Sequence, residues 1–320
     1  MSGWTRWIAG AASGARARRK LLILTYHRVL ANPDPLLPDD VDAATFRTQM
    51  EVLARGWRVL PLHEAVRALR EGTLPRRALA ITFDDGYADN HDVAMPILRG
   101  LGLHGTFFIA TGFLDGGRMW NDTIIESVRR ASDRSVLGES GGGSGGLSVS
   151  ERREWIGRLI SSSKHLAPGE RAARAAQLAE RVGKPLPDDL MMTSAQVRSM
   201  AAAGMEIGAH TVSHPVLSTV DAPTAVEEIR GSAATLTALT GIQPRGFAYP
   251  NGQPQRDYRT EHVRMVRDLG FDFAVSTSWG RAERDSDPHQ LPRVAPWERT
   301  LAGFERRLLV SYLQRQATRA

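Results

Sequence analysis

Short runs of consecutive apolar residues alternate along the chain with stretches in which apolar positions recur every three or four residues. The runs are Leu21–Tyr26 (LLILTY), Ala78–Phe83 (ALAITF), Gly105–Ala110 (GTFFIA), Met205–Ala209 (MEIGA), Gly246–Tyr249 (GFAY) and Phe271–Ser276 (FDFAVS). Several are apolar at nearly every position, as parallel strands covered on both faces are. Between them lie helical stripes. Phe46, Met50 and Leu53 precede a stop at Gly56, and Thr193 and Ser194 precede Val197 and Met200, which end at Gly204. Asp89 or Asn90 is placed to cap a helix carrying Val93, Ile97 and Leu98 and ending at Gly100. Val226, Ile229, Ala233, Leu236 and Leu239 form a longer stripe closed by Gly241. Strand and helix in repeated alternation predict a parallel sheet, open or closed into a barrel.

The middle of the chain breaks this rhythm. From Leu114 to about Asp189 no clear strand is visible, Glu151–Ile160 and Arg171–Val182 read as helical, and Ser140–Leu147 (SGGGSGGL) is a Gly/Ser-rich flexible segment. The expectation is a helical insertion over about 114–190, with its flexible stretch at 140–150, inside one α/β domain spanning 21–300. Residues 1–20 form an N-terminal basic segment, and Phe304, Leu308, Leu309 and Tyr312 mark a C-terminal helix within 301–320 packed on the body. No internal repeat is present.

Composition narrows the function classes. The chain of 320 residues has a formal net charge of +6, carried almost entirely by arginine, with lysine only at positions 20, 164 and 184. The arginines are dispersed among acidic residues rather than clustered with aromatics, which argues against nucleic-acid binding. The run Arg16–Lys20 (RARRK) suits at most a weak contact with an acidic membrane surface. With no cysteine, any metal must be held by histidine and carboxylate. No signal peptide or span of about 18 apolar residues is recognised, so the expected location is the cytoplasm.

Two motifs carry chemistry. Thr82-Phe83-Asp84-Asp85-Gly86 places adjacent carboxylates directly after a buried-type strand, where ligands sit in parallel α/β folds. Two anions so close repel, and a cation beside them relieves that repulsion. His210-Thr211-Val212-Ser213-His214 also follows a strand, and its two histidines share one side of a turn. One carboxylate and two imidazoles leave zinc a coordination position for water, the mark of a hydrolytic site. His63, His91, His104, His165 and His262 lie in helical or loop contexts without evident partners and are expected at the surface or as caps.

Together these motifs resemble the first two of the polysaccharide deacetylase family, the NodB-type carbohydrate esterases (carbohydrate esterase family 4). Leu24–Val29 (LTYHRV) is similar to the first strand of one branch, Phe247–Gly252 (FAYPNG) to the third motif and Leu291–Val294 (LPRV) to the last. The resemblance runs from about residue 20 to residue 300 and implies a distorted, incomplete (β/α) barrel of about seven parallel strands. It implies one divalent metal ion, zinc foremost, held by Asp85, His210 and His214. Asp84 would be the general base acting on metal-activated water, and the Asn251 N–H after Pro250, in the Tyr249–Asn251 segment, an oxyanion donor. The implied reaction is removal of N-acetyl groups from a carbohydrate: a polysaccharide or a glycan precursor.

Two positions depart from the family pattern. Where many members have an arginine that holds the base, this chain has Ala248, and where many have a general-acid histidine, it has Arg293. Arg293 is therefore expected to orient Asp84 through a charge-assisted bond. The general acid is sought at His27, at the end of the first strand, ahead of His289 in a polar loop. Trp120, Trp279 and Trp297 are read as packing first and sugar contacts second. The rival readings are hydrolysis of an O-acyl ester or a non-sugar C–N bond on the same scaffold, and a non-catalytic glycan binder.

Overall fold

The computed structural model describes residues 20–138, 146–315 and 318–320. Most of the basic run Arg16–Lys20, and residues 140–145 of the Gly/Ser-rich stretch, lie outside the described residues. The strands in chain order are β1 (Leu21–Tyr26), β2 (Val29–Leu30), β3 (Val41–Asp42), β4 (Arg58–Val59), β5 (Ala78–Phe83), β6 (Thr106–Ile109), β7 (Glu206–Ala209), β8 (Gly246–Ala248) and β9 (Phe273–Val275). The main sheet is parallel throughout in the order β1-β5-β6-β7-β8-β9, with β4 also paired to β5; β2 and β3 pair separately.

The sheet curls until its two edges share a partner. Leu291–Val294 bridges to Val275 of β9 at Leu291 and to Leu24 of β1 at Val294. Leu291 N donates to Ala274 O, and Val294 N to Ile23 O (both 2.9 Å). The last of the motifs is therefore the strap that joins the sheet edges. It has only bridge-length pairing because Pro292 has no N–H to add to a ladder.

Period-2 alternation sorts the strand residues into two cores. Leu22, Leu24, Leu79, Ile81, Phe107 and Ala274 pack outward on the surrounding helices, among them Ala43–Gly56, Ser194–Ala202, Ala222–Thr240 and Thr260–Asp268. Leu21, Ile23, Ala78, Ala80, Phe108, Ala248 and Phe273 face the other way and meet the helix Leu62–Glu71. Large and small residues alternate across this interior: Phe108 lies over Gly208 and Phe273 over Gly246, leaving no room for a methyl at either glycine. Gly246→Ala is expected to lower stability by about 1–3 kcal/mol through overpacking, measured as the shift in urea midpoint at constant m-value.

Helix ends follow the sequence where the capping chemistry is local. Ala43–Gly56 stops at Gly56, Thr193 accepts from Gln196 N, and Gly241 closes Ala222–Thr240 at φ 73°. Asp89 and Asn90 do not cap. Asp89 instead accepts from Arg28 Nε (2.8 Å) and Val29 N (3.1 Å), and the chain passes through a π-turn over Asn90–Ala94 before Met95–Gly100.

Residues 114–190 contain the helices Trp120–Arg130, Val149–Ser163 and Pro168–Val182. Ile125, Val128, Trp155, Ala175 and Leu178 give them a small core of their own. The C-terminal helix packs on the body through Phe304, Leu308 and Tyr312 but ends at Leu313. Beyond it Gln314 is extended and its carbonyl accepts from Arg281 N, so the chain leaves the helical path there. Among the described residues no helix is long and apolar enough to cross a membrane.

Candidate metal and active site

The candidate residues converge because they all follow the C-terminal ends of barrel strands. His27 follows β1, Asp84 and Asp85 follow β5, His210 follows β7, and Tyr249–Asn251 follows β8. Alternation carries the even positions of β5 inward, so Asp84 continues the interior face of Ala78, Ala80 and Thr82. His210 does the same for Gly208. Asp85 would point outward on a regular strand; its φ of 77° turns it back. Among the described residues, four of the seven non-glycine residues with positive φ are Asp85, Thr211, His214 and Asn251. Asp, Asn and His tolerate that region best, and its concentration here shows where the fold accepts strain.

Asp85, His210 and His214 offer one ligand atom each, all within 4.8 Å of one another. Asp85 Oδ1 lies 3.3 Å from His210 Nε2 and 3.4 Å from His214 Nε2. A tetrahedral ion with bonds of about 2.0–2.1 Å holds its ligand atoms about 3.3–3.4 Å apart. Asp85 Oδ1 is buried and has no hydrogen-bond partner among the described residues, an orphaned acceptor that a cation would satisfy. His210 Nδ1 donates to Ala248 O (2.8 Å), which leaves the Nε2 lone pair facing Asp85. The donor set fits a divalent ion.

The loop carrying the histidines is pinned from outside. Glu228 accepts from Val212 N and Ser213 N (both 2.8 Å), and Arg171 Nη2 donates to His214 O (3.3 Å). Burial pushes the His214 pKa down to about 3, so it is a neutral imidazole, the ligand form. Burial opposes protonation of His210 too, but the Asp85 carboxylate beside Nε2, with Asp84, outweighs it and raises the pKa. Burial would raise Asp85; the adjoining His210 ring and the other neighbouring imidazoles hold it below the usual carboxylate range.

Asp84 stands outside the triad. Arg293 donates to it through both terminal nitrogens, Nη1 to Oδ1 and Nη2 to Oδ2 (2.6 Å each). The guanidinium is fixed in turn by Ser276 O (3.1 Å) and Thr82 Oγ1 (3.2 Å), and it is 1 % exposed. Burial pushes the Asp84 carboxyl up, and the Arg293 charge outweighs it and keeps the group below its ordinary value.

A cavity of about 240 Å³ opens over these groups. His27, Tyr249 and Asn251 line it, as do the metal-site residues. The Asn251 N–H donates to no group among the described residues. Tyr249 Oη is committed to His289 O (3.0 Å) and its ring stacks on Tyr258, so it offers the cavity no hydroxyl. His289 is buried at the opposite end of β9, with Nε2 on Phe271 O (2.9 Å), and takes no part in the cavity.

Trp120, expected mainly as packing, also lines the cavity. Trp279 and Trp297 do not; they lie 5.3 Å apart with Arg307 over both rings. His63 has a partner after all, Glu206 at 3.3 Å, and His262 is buried and accepts from Arg259 N (3.0 Å). Three lining residues had no sequence signal: Ile160, Lys164 and Thr277.

The polysaccharide deacetylase family model matches residues 71–136 and 164–274, more than half the chain. The chain belongs to the polysaccharide deacetylase family. It is 23 % identical to YxkH of Bacillus subtilis over 277 residues, covering 86 % of this chain and 71 % of that one. Solved structures with the same fold include IcaB from Ammonifex degensii, with TM-score 0.60 and 19 % identity over 92 % of this chain and 97 % of that one. The Streptococcus pyogenes deacetylase PplD, solved with acetate, gives 0.56 and 20 % over 86 % and 92 %. Family membership places this deacetylase among hydrolases that act on polysaccharides.

Proposed function

We propose that the protein removes N-acetyl groups from a polysaccharide or glycan precursor by metal-dependent hydrolysis. The observation that carries this reading is the division of labour between adjacent aspartates. Asp85 joins two imidazoles at ligand spacing, while Asp84 is kept ionised beside them by a bidentate arginine. A divalent ion so held, zinc foremost for two imidazoles and a carboxylate, supplies Lewis acidity that acidifies water and polarises an acyl carbonyl. Asp84 takes the proton of the attacking water. The Asn251 N–H donates to the carbonyl oxygen as charge builds on it. His27, exposed at the cavity rim and close enough for its charge to act on both aspartates, delivers a proton to the departing amine.

The S. pyogenes deacetylase was solved with acetate, the acid that hydrolysis of an N-acetyl group releases. The test is acetate release from N-acetylated oligosaccharides of defined structure, abolished by a chelator and restored by zinc. Turnover of O-acetyl esters or small amides with none of the glycans would overturn the reading. For His27, replacement by alanine is expected to leave metal content intact and lower kcat about 10²–10⁴-fold. Full activity in that variant would remove His27 from the mechanism.

A further inference from the structure

The same cavity contains a cation that the proposed chemistry does not use. Lys164 follows the helix Val149–Ser163, at its C-terminal cap, and lines the cavity together with Ile160 of that helix. The helix lies within the segment 137–163 that the family model passes over. Lys164 itself is the first residue of the second matched segment, 164–274, and stands where the passed-over helix rejoins it.

Lys164 is part-buried, yet it forms no ion pair among the described residues. The acid whose charge it feels, Asp257, is already held by Arg256 Nε (3.2 Å) and Gln253 N (3.0 Å). Its other charged neighbours, Arg256 and Arg171, are cations. Arg171 is 3 % exposed and makes only carbonyl and ring contacts: Lys164 O, His214 O and the Trp120 face. Burial depresses the Lys164 pKa; the Asp257 charge opposes this, and Arg256 and Arg171 add to it.

Drawing a cation out of water without an opposing charge is unfavourable. The remaining charges of the cavity do not supply one. Asp84 is spent on Arg293, and a divalent ion would more than neutralise Asp85. With such an ion bound, the potential over the reacting centre would be positive, and an entering anion would complete it.

We propose that Lys164 is a specificity-determining residue that binds an anionic substituent, phosphate or carboxylate, carried by the acetamido sugar. The inference rests on the deacetylase reading and names its substrate class: a charged glycan or an activated sugar precursor rather than a neutral homopolymer. Phosphate and carboxylate share the chemistry that an ammonium recognises, and probes separate them.

The test uses the full-length, zinc-loaded protein and its Lys164→Met and Lys164→Arg variants. The probes are N-acetylglucosamine 1-phosphate, N-acetylmuramic acid and neutral N-acetylglucosamine. Binding is read by calorimetry, turnover by acetate release, and integrity by zinc content and circular dichroism. The wild type is expected to bind at least one anionic probe about tenfold or more tighter than the neutral sugar, with the advantage shrinking as salt rises. Lys164→Met should erase that advantage through Kd and KM, with kcat and neutral-sugar binding unchanged, and Lys164→Arg should restore much of it. Whichever anionic probe loses affinity identifies phosphate or carboxylate. Equal wild-type affinity for all three probes, or a Lys164→Met variant that still prefers the anion, overturns the proposal. If Lys164→Met fails to fold, Lys164→Gln and the wild-type preference alone decide it. Lys164-dependent anion binding without acetate release from any glycan would instead sink the deacetylase reading and leave the anion site standing.

Discussion

Asp85→Ala and His210→Ala are each expected to lose the bound divalent ion and at least about a thousandfold of acetate release, equivalent to about 4 kcal/mol of barrier. Each removes one of three ligand atoms set at tetrahedral spacing. Metal content by elemental analysis should fall with activity, and excess zinc should restore little of either. A variant that keeps stoichiometric metal would show that the three groups are not its ligands. The protonation pattern adds a pH dependence. His214 is neutral down to about pH 3, whereas Asp85 holds a proton on His210 to higher pH than a free imidazole would keep it. The ion must displace that proton, so apparent affinity should weaken as pH falls through the raised His210 pKa and be steady above it. Titrating zinc into stripped protein between pH 5 and 8 reads this directly.

The parts of the fold legible from sequence are those whose signal is local. β1 and β5 are buried on both faces, so each is an unbroken apolar run with the limits the sequence predicts. The acids stand out because they adjoin such a run, whereas the histidines follow β7, a shorter strand that carries Glu206. The helix Leu62–Glu71 was legible but not read: Leu62, Ala65, Val66 and Leu69 form its buried stripe, and Gly72 caps it at φ 76°. Asp89 shows the opposite failure. Its position suits a cap, yet Arg28, distant in sequence, claims its carboxylate.

The strap Leu291–Val294 was harder. Interrupted by proline and only four residues long, it has no strand signal, and its pairing depends on two edges that meet only when the sheet curls. That closure delivers Arg293 to the barrel interior, so the motif was readable by resemblance while its structural role was not. Lys164 was least legible of all. One lysine at the end of an amphipathic helix looks like a solvated charge, and only the packing of the helix Val149–Ser163 against its two neighbours brings it over the site.

Asp84→Asn is expected to lower kcat about 10²–10⁴-fold with metal content unchanged, because the amide keeps the shape of the carboxylate but cannot take a proton. Arg293→Met tests the same group from the other side. In the native protein the guanidinium is the largest influence holding Asp84 below its ordinary pKa against burial. Without that charge burial dominates and the carboxyl rises. The acidic limb of the kcat/KM profile should then move to higher pH, with the deficit largest at low pH and shrinking as pH climbs past the new pKa. Stability follows the same sign. A carboxyl depressed on folding stabilises above its unfolded pKa and loses that contribution as pH falls through the folded value. The variant, left with a buried carboxylate and no partner, should be less stable by about 3–5 kcal/mol at neutral pH, and the gap should narrow as acid protonates Asp84. Arg293→Lys keeps a charge but not the two-pronged geometry, so it should recover part of the stability and less of the rate. An unshifted acidic limb in Arg293→Met would mean that Asp84 is not the group whose ionisation limits turnover, and the base would have to be sought elsewhere in the cavity.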